Sequence, residues 1–182
     1  MFLERDGIVN LARVERNYQV PPLVLEEFHL NPEVLLPLRV LKEGGFLLLV
    51  TTCQPGLSRG YQSRRELDQM HAVLRASLPV DDILVCPHDE MDQCPCRKPK
   101  PGLLIEAAFK WHLDLDRCFV ISDKWQDAEA ARNVGCTSIL VLSPWLGSVH
   151  RDYVVPRLRD SAPKILQLRL LGQILANHHP AP

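Results

Sequence analysis

The 182-residue sequence predicts an α/β fold: a Rossmann-like parallel sheet with helices on both faces, no large cap domain and a zinc-binding loop. Three observations carry that expectation. Short apolar runs recur along the chain and are continuous rather than alternating, as in strands buried on both faces. Segments with helical spacing separate them. Polar clusters, Glu4/Asp6, Thr51/Thr52, Cys86 and Asp123, each follow an apolar run directly. In an open parallel sheet that rim is where ligands bind.

Phe2-Leu3 opens a strand that is short against the usual ~5–6 residues, because Glu4-Arg5-Asp6-Gly7 follows at once. A truncated start or weak anchoring would each produce that pattern. Residues 11–29, with Pro21-Pro22, show no sustained period and read as irregular. Asn31-Pro32 reads as an N-cap with proline at the first helical position. Val34, Leu35, Leu38 and Leu41 share one side of that helix, Gly44-Gly45 stops it, and Pro37 should kink it or shift its start. Residues 46–50 form the second strand, and residues 51–56 leave it as a polar turn. Ser63-x-x-Glu66 is a capping box ahead of a helix with Leu67, Met70, Val73 and Leu74 inward. A third strand covers 83–86. A helix over 102–110 turns Leu103, Leu104 and Ala107 inward, and a fourth strand covers 118–121. A helix around 128–134 closes at Gly135, and a fifth strand covers 138–142. Leu166, Leu170, Leu171 and Ile174 mark a last helix. One domain over 1–176 with a frayed tail at 177–182 is the expected organisation.

The composition excludes several classes. A formal net charge of −1 lacks the basic footprint of a nucleic-acid binder. No apolar run approaches the ~20 residues of a membrane span, and the acidic N-terminus lacks a secretory layout. Cys53, Cys118 and Cys136 have no evident disulfide plan, which fits a reducing, cytoplasmic setting. A monomer with a small-molecule substrate is expected.

The most specific stretch is Cys86-Pro-His-Asp-Glu-Met-Asp-Gln-Cys-Pro-Cys-Arg-Lys-Pro-Lys-Pro-Gly102. Cys86, His88, Cys94 and Cys96 supply two ligand pairs within one loop, the donor set that closed tetrahedral zinc prefers. Buried free cysteines are the plainer alternative, but four prolines make this a poor core element. Arg97, Lys98 and Lys100 follow and offset the negative charge of a three-thiolate zinc site.

At the rim, Glu4 and Asp6 lie two residues apart and can point to one side, while Asp123 and Asp127 add carboxylates at a neighbouring strand end. Such a group suits Mg²⁺, a hard ion held by one or two carboxylates, waters and substrate phosphate. Lys98 or Lys100, Lys124, and the Thr51 or Thr52 hydroxyl could cradle phosphoryl oxygens. Taken singly, Asp123 could be a helix N-cap and Glu4 and Asp6 a solvated turn.

Phe-Leu-Glu-Arg-Asp-Gly, Thr-Cys-Gln-Pro-Gly-Leu-Ser-Arg-Gly-Tyr, the whole cysteine loop through Cys-Arg-Lys-Pro-Lys-Pro-Gly, and Asp-Lys-x-x-Asp together resemble the zinc-loop group of haloacid-dehalogenase-type phosphatases, from Phe2 to about Leu142. That group includes heptose bisphosphate and histidinol phosphate phosphatases, and Pro101-Gly102-Leu-Leu looks more like the heptose branch. The resemblance implies Mg²⁺ held through Glu4, Asp6 and Asp123, and structural Zn²⁺. It implies a phosphoryl-accepting nucleophile at Glu4, a general acid and base at Asp6, and phosphoryl contacts from Thr52. Lys98 would neutralise charge, and Arg97, Lys124, Cys53 and Gln54 would meet the phosphorylated sugar.

Two departures stand out. The family has aspartate at Glu4 and asparagine at Cys53; Ser122 replaces a usual glycine, a milder change. Glutamate adds a methylene and pushes the attacking oxygen out by on the order of 1 Å, and such errors can cost ~10²-fold in rate. A slowed sugar-phosphate phosphatase and a non-catalytic phosphosugar- or partner-binding descendant are therefore both open.

Overall fold

The computed structural model describes residues 1–178. Strand β1 (Phe2–Glu4) lies at the centre of the sheet, and β2 (Arg13–Glu15) and β3 (Tyr18–Val20) form a separate antiparallel hairpin. Strands β4 (Leu49–Cys53), β5 (Asp82–Cys86), β6 (Phe119–Ser122), β7 (Thr137–Val141) and β8 (Tyr153–Val155) complete a six-stranded sheet. Its order is β5-β4-β1-β6-β7-β8, and every pairing is parallel. The helices are α1 (Leu35–Glu43), α2 (Arg64–Ser77), α3 (Gly102–Trp111), α4 (Trp125–Arg132) and α5 (Ser161–His178).

Strand residues alternate between two apolar layers, as the two-residue period of a strand requires. Leu3, Val50, Ile121 and Ile139 pack with Leu38 and Leu41 of α1, Met70 and Leu74 of α2, and Ala162 and Ile165 of α5. Phe2, Leu49 and Val120 face the other way, against Leu103, Leu104 and Ala107 of α3 and Ala130 and Ala131 of α4. Helices thus cover both faces, as expected. Among the described residues no helix is long and apolar enough to cross a membrane.

Several local expectations are corrected. Residues 11–29 are not wholly irregular: β2 and β3 turn through Arg16 and Asn17, both at positive φ (48° and 64°). That is the turn geometry matching the twist of a two-stranded ribbon. α1 starts at Leu35 with Val34 as its N-cap; the Asn31 side chain instead accepts from the Glu33 amide. Pro37 falls in the first turn, where its missing N–H costs nothing, so it sets the later start without a kink. β4 begins at Leu49 and runs through Thr51, Thr52 and Cys53, because β5 pairs with it as far as Cys53↔Cys86. Residues 51–53 of the expected polar turn are therefore strand, whereas 54–56 leave it as expected.

Ser63 caps α2 by accepting from the Glu66 amide, but Glu66 accepts from Leu25 rather than completing the box. His71, not Val73, joins the inner face of α2. α4 begins at Trp125 and is over by Arg132, and Gly135 follows at φ +78°. Strand β8 was not anticipated. Asn177 and His178 belong to α5, whereas the remainder of the expected frayed tail, 179–182, and the Ile174 side chain lie outside the described residues.

Candidate active site

The ends of β1, β4, β5 and β6 meet at one rim, and a cavity of ≈ 180 Å³ opens there beside Glu4 and Asp6. Its walls include Glu4, Asp6, Gln19, Cys53, Arg97, Lys98, Lys124 and Asp127.

Glu4 ends β1 and is nearly enclosed, 4% exposed. Its Oε2 accepts from Lys98 Nζ, its Oε1 accepts from the Asp6 amide at 3.2 Å, and Lys124 Nζ stands 3.7 Å from Oε1. Burial raises the Glu4 carboxyl, against the pull of Lys124 and Lys98. Lys98 also donates to the Thr51 carbonyl at 3.0 Å and pairs with Asp127 at 2.6 Å. Burial alone would lower this lysine, but Asp127 and Glu4 raise it and keep it charged. Asp127 is itself held by the Ser122 hydroxyl at 2.8 Å.

Asp6 is gripped on both oxygens. Arg5 donates to Oδ1 through Nε (3.1 Å) and a terminal nitrogen (2.9 Å), and Asn10 Nδ2 donates there at 3.1 Å. Gln54 Nε2 (2.7 Å) and the Thr52 hydroxyl (3.3 Å) donate to Oδ2. Burial pushes Asp6 up, but the Arg5 charge, Lys124 and these donors outweigh it and hold the carboxyl below its ordinary value. Arg5 has no solvent exposure. Its outer nitrogen lies 3.3 Å from His71 Nε2, and its guanidinium is 5.7 Å from the Phe28 ring centre. Burial, then the Arg5 charge, lowers His71 to about 4, so the ring is neutral and can accept from Arg5.

Asp123 follows β6. Gln19, on β3, donates to its Oδ2 at 2.5 Å, whereas Oδ1 is buried without a hydrogen-bond partner. Gly7 makes room for this contact: at φ +98°, a Cβ there would sit 2.5 Å from Asp123 Oδ2. A carboxylate oxygen with an unmet acceptor, next to the Glu4 carboxylate and the Asp6 carbonyl, fits the oxygen donors that Mg²⁺ takes. Asp6 offers its carbonyl, because its carboxylate is already engaged.

Below the pocket, the ligand atoms of Cys86, His88, Cys94 and Cys96 all lie within 4.8 Å of one another. The closest pairs are Cys86–Cys94 at 3.6 Å, Cys94–Cys96 at 3.4 Å, Cys86–His88 Nδ1 at 3.7 Å and His88 Nδ1–Cys96 at 3.3 Å. Zinc–sulfur bonds of about 2.3 Å imply tetrahedral edges near ~3.8 Å, so the donors fit Zn²⁺. Gly102 closes the loop against α3; a Cβ there would meet the Pro95 carbonyl at 2.4 Å. Arg97 lines the cavity while donating to the His88 carbonyl (3.3 Å) and to Glu90 (3.1 Å). Lys100 turns away and donates to the Gln93 carbonyl, so Lys98 alone of the pair enters the pocket. Cys53, beside Cys86 in the register, has its thiol pushed up by a hydrogen bond with Cys86 and by burial.

Of the expected site residues, Glu4, Asp6, Cys53, Arg97, Lys98 and Lys124 line the cavity. Asp123 borders it through Gln19. Thr52 and Gln54 are buried and aim at Asp6 rather than into open space. Sequence reasoning passed over Arg5, Asn10, His71 and Gln19. Arg5 sat inside a quoted motif, but nothing local tied His71 or Gln19 to the rim.

A central parallel strand carrying two carboxylates two residues apart, with a lysine and a third aspartate from later strand ends, defines a haloacid-dehalogenase-like site. A family profile described as HAD-hydrolase-like matches residues 95–161. The chain is 34% identical over 149 residues to the D-glycero-β-D-manno-heptose-1,7-bisphosphate 7-phosphatase of Helicobacter pylori strain J99, covering 79% of this chain and 82% of that one. It is 35% identical over 146 residues to the Pseudomonas aeruginosa enzyme of the same name, covering 78% and 79%. A crystal structure of D,D-heptose 1,7-bisphosphate phosphatase from B. bronchiseptica, complexed with magnesium and phosphate, superimposes with a TM-score of 0.80 at 28% identity, over 92% of this chain and 98% of that one. The chain belongs to the heptose-bisphosphate phosphatase family of haloacid-dehalogenase-like hydrolases.

Proposed function

We propose that this chain is a Mg²⁺-dependent phosphoric monoester hydrolase of sugar phosphates, with D,D-heptose 1,7-bisphosphate, cleaved at the 7-phosphate, as its substrate. The observation that carries the reading is that Glu4, Lys98 and Lys124 line one cavity, while Lys124 Nζ also meets the Asp6 carbonyl and stands 3.6 Å from Asp123 Oδ1, which has no hydrogen-bond partner. Kinship with enzymes of that name supports the substrate, and the relative crystallised with magnesium and phosphate supports the metal. Histidinol phosphate is the alternative substrate.

A Glu4 oxygen attacks phosphorus, the bond from phosphorus to the sugar oxygen breaks, and that oxygen takes a proton from Asp6. Water then attacks the resulting acyl phosphate, and the Asp6 carboxylate takes the water's proton, releasing phosphate and restoring Glu4. Glu4, Asp123 and the Asp6 carbonyl would hold magnesium, which would supply positive charge against the phosphoryl oxygens. Lys98 neutralises the Glu4 side, and Arg97 and Cys53 face the sugar. Thr52 and Gln54 fix Asp6. Cys86, His88, Cys94 and Cys96 would hold a structural zinc, and the loop so fixed would aim Arg97 and Lys98. Unpaired Cys53, Cys118 and Cys136 support a cytoplasmic setting.

One observation favours a slowed or non-catalytic protein. Both Glu4 oxygens are engaged, and Arg5 holds Asp6 ionised, which suits water activation better than proton donation. Phosphate release from heptose 1,7-bisphosphate and from histidinol phosphate, with Mg²⁺ and zinc-loaded protein, tests this. Turnover by the native chain is expected to rise at least about tenfold in Glu4→Asp, roughly 1.4 kcal/mol of barrier. Inactivity of both folded proteins on both substrates would leave the binding reading.

A further inference from the structure

Lys124 precedes α4, and its Nζ donates to the main-chain oxygen of Asp6. The same nitrogen lies 3.7 Å from Glu4 Oε1 and 3.6 Å from Asp123 Oδ1. Two carboxylate oxygens and one carbonyl around a point form the oxygen set a hard divalent cation takes, and here an ammonium occupies it. We propose that Lys124 is a tethered cation that holds the metal position in the metal-free protein, and that a divalent ion enters by displacing it into the pocket.

Charge balance favours such a group. Glu4, Asp123 and Asp127 are all buried, and buried carboxylates persist as anions only when paired. Lys98 cannot serve all three. Its three donors are spent on Glu4, Asp127 and the Thr51 carbonyl. Gln19 is neutral and satisfies only Oδ2 of Asp123. Arg5 faces Asp6 and His71. Lys124 is left to neutralise Asp123 and the second oxygen of Glu4.

An ammonium and a divalent ion cannot share this set, because they repel at such range and compete for the same lone pairs. Lys124 lines the cavity, so its head group has room to leave on the side where a phosphoryl group would lie. Metal entry would then present an ammonium to the phosphoryl oxygens.

The inference rests on the Mg²⁺-dependent reading of this site, and its test needs no substrate. Mg²⁺ alone is titrated calorimetrically into the zinc-loaded full chain, its Lys124→Ala variant, and Lys124→Met, which keeps the apolar stem. Both variants should bind Mg²⁺ at least about tenfold more tightly than the native chain. Both should melt lower without Mg²⁺ and recover more stability than the native chain as it is added. Adding Asp123→Asn to Lys124→Met should remove the gain, locating the ion. Unchanged or weaker affinity in the folded variants overturns the proposal, as does a native chain and variants that all fail to bind Mg²⁺. Tightened binding without phosphate release would keep this inference and refute the phosphatase reading. Phosphate release without tightening would do the reverse.

Discussion

The cysteine loop and the end of β1 form two halves of one site, built in opposite ways. The loop draws all four ligands from residues 86–96 and holds them at separations suited to one ion. The β1 end recruits Arg5 and Asp6 locally, Lys98 from beyond the loop, Asp123 and Lys124 from the end of β6, and Gln19 from a hairpin. The loop keeps its full donor set, whereas the assembled half carries the glutamate. A four-ligand metal site loses its geometry when one ligand changes. An ion-pair network can take up an added methylene, because the charge is unchanged and the long lysine stems need no single geometry. Retained charge therefore says little about retained in-line attack.

The largest expected effect lies in the loop. Cys94→Ser should release the metal and lower the melting temperature by ~10 °C or more, since lost metal binding becomes lost folding energy and ~1 kcal/mol shifts a chain of this size by ~2–4 °C. It should also weaken phosphate binding, because Lys98 is placed from this loop. Zinc-free native protein that melts like the zinc-loaded form would show that the two halves are not mechanically coupled.

Next comes the assembled half. Asp123→Ala should reduce Mg²⁺ affinity by about a hundredfold or more, a coupling of roughly 3 kcal/mol, while leaving the zinc content at one. An unaltered Mg²⁺ response would put the ion elsewhere and dissolve the contrast between the halves.

The smallest effect is a pH dependence from behind Asp6. His71 is lowered to about 4 in the fold, so the unfolded chain takes up its proton first. Its stabilising contribution is full above about 6.5 and is lost as pH falls toward 4, amounting to roughly 1–2 kcal/mol after allowance for partial solvation. The depressed Asp6 adds a further loss below its ordinary carboxylate value. His71→Gln, which can still accept from Arg5, should flatten stability between pH 6.5 and 4. An unchanged slope would place the titration on another group.

The features legible in the sequence were those with local causes. Continuous apolar runs marked the strands because β1, β4 and β6 are covered on both faces. Spacing alone marked the metal loop. The inward residues of α3 followed from helical period. Thr51 and Thr52 looked like a turn because they are polar. They are strand because β5 offers a ladder that far and Asp6 gives Thr52 a partner, neither of which is local. The β2–β3 hairpin escaped notice because its turn is Arg16-Asn17, without the glycine that usually marks one. Val73 was expected inward but is exposed, and His71 is buried instead, because Arg5, from a distant part of the chain, gives its ring a partner there.

β1 is three residues long, and Phe2 and Leu3 are each paired on both sides, to β4 and to β6. A main chain clamped from left and right cannot retreat to make room for a longer side chain. The methylene that Glu4 adds must be absorbed by its own torsions, three where aspartate has two. Each extra torsion spreads the direction in which the carboxylate points. For a nucleophile, the number of competing orientations then matters as much as reach. Lys98 and Lys124 decide which orientation is populated before any substrate arrives.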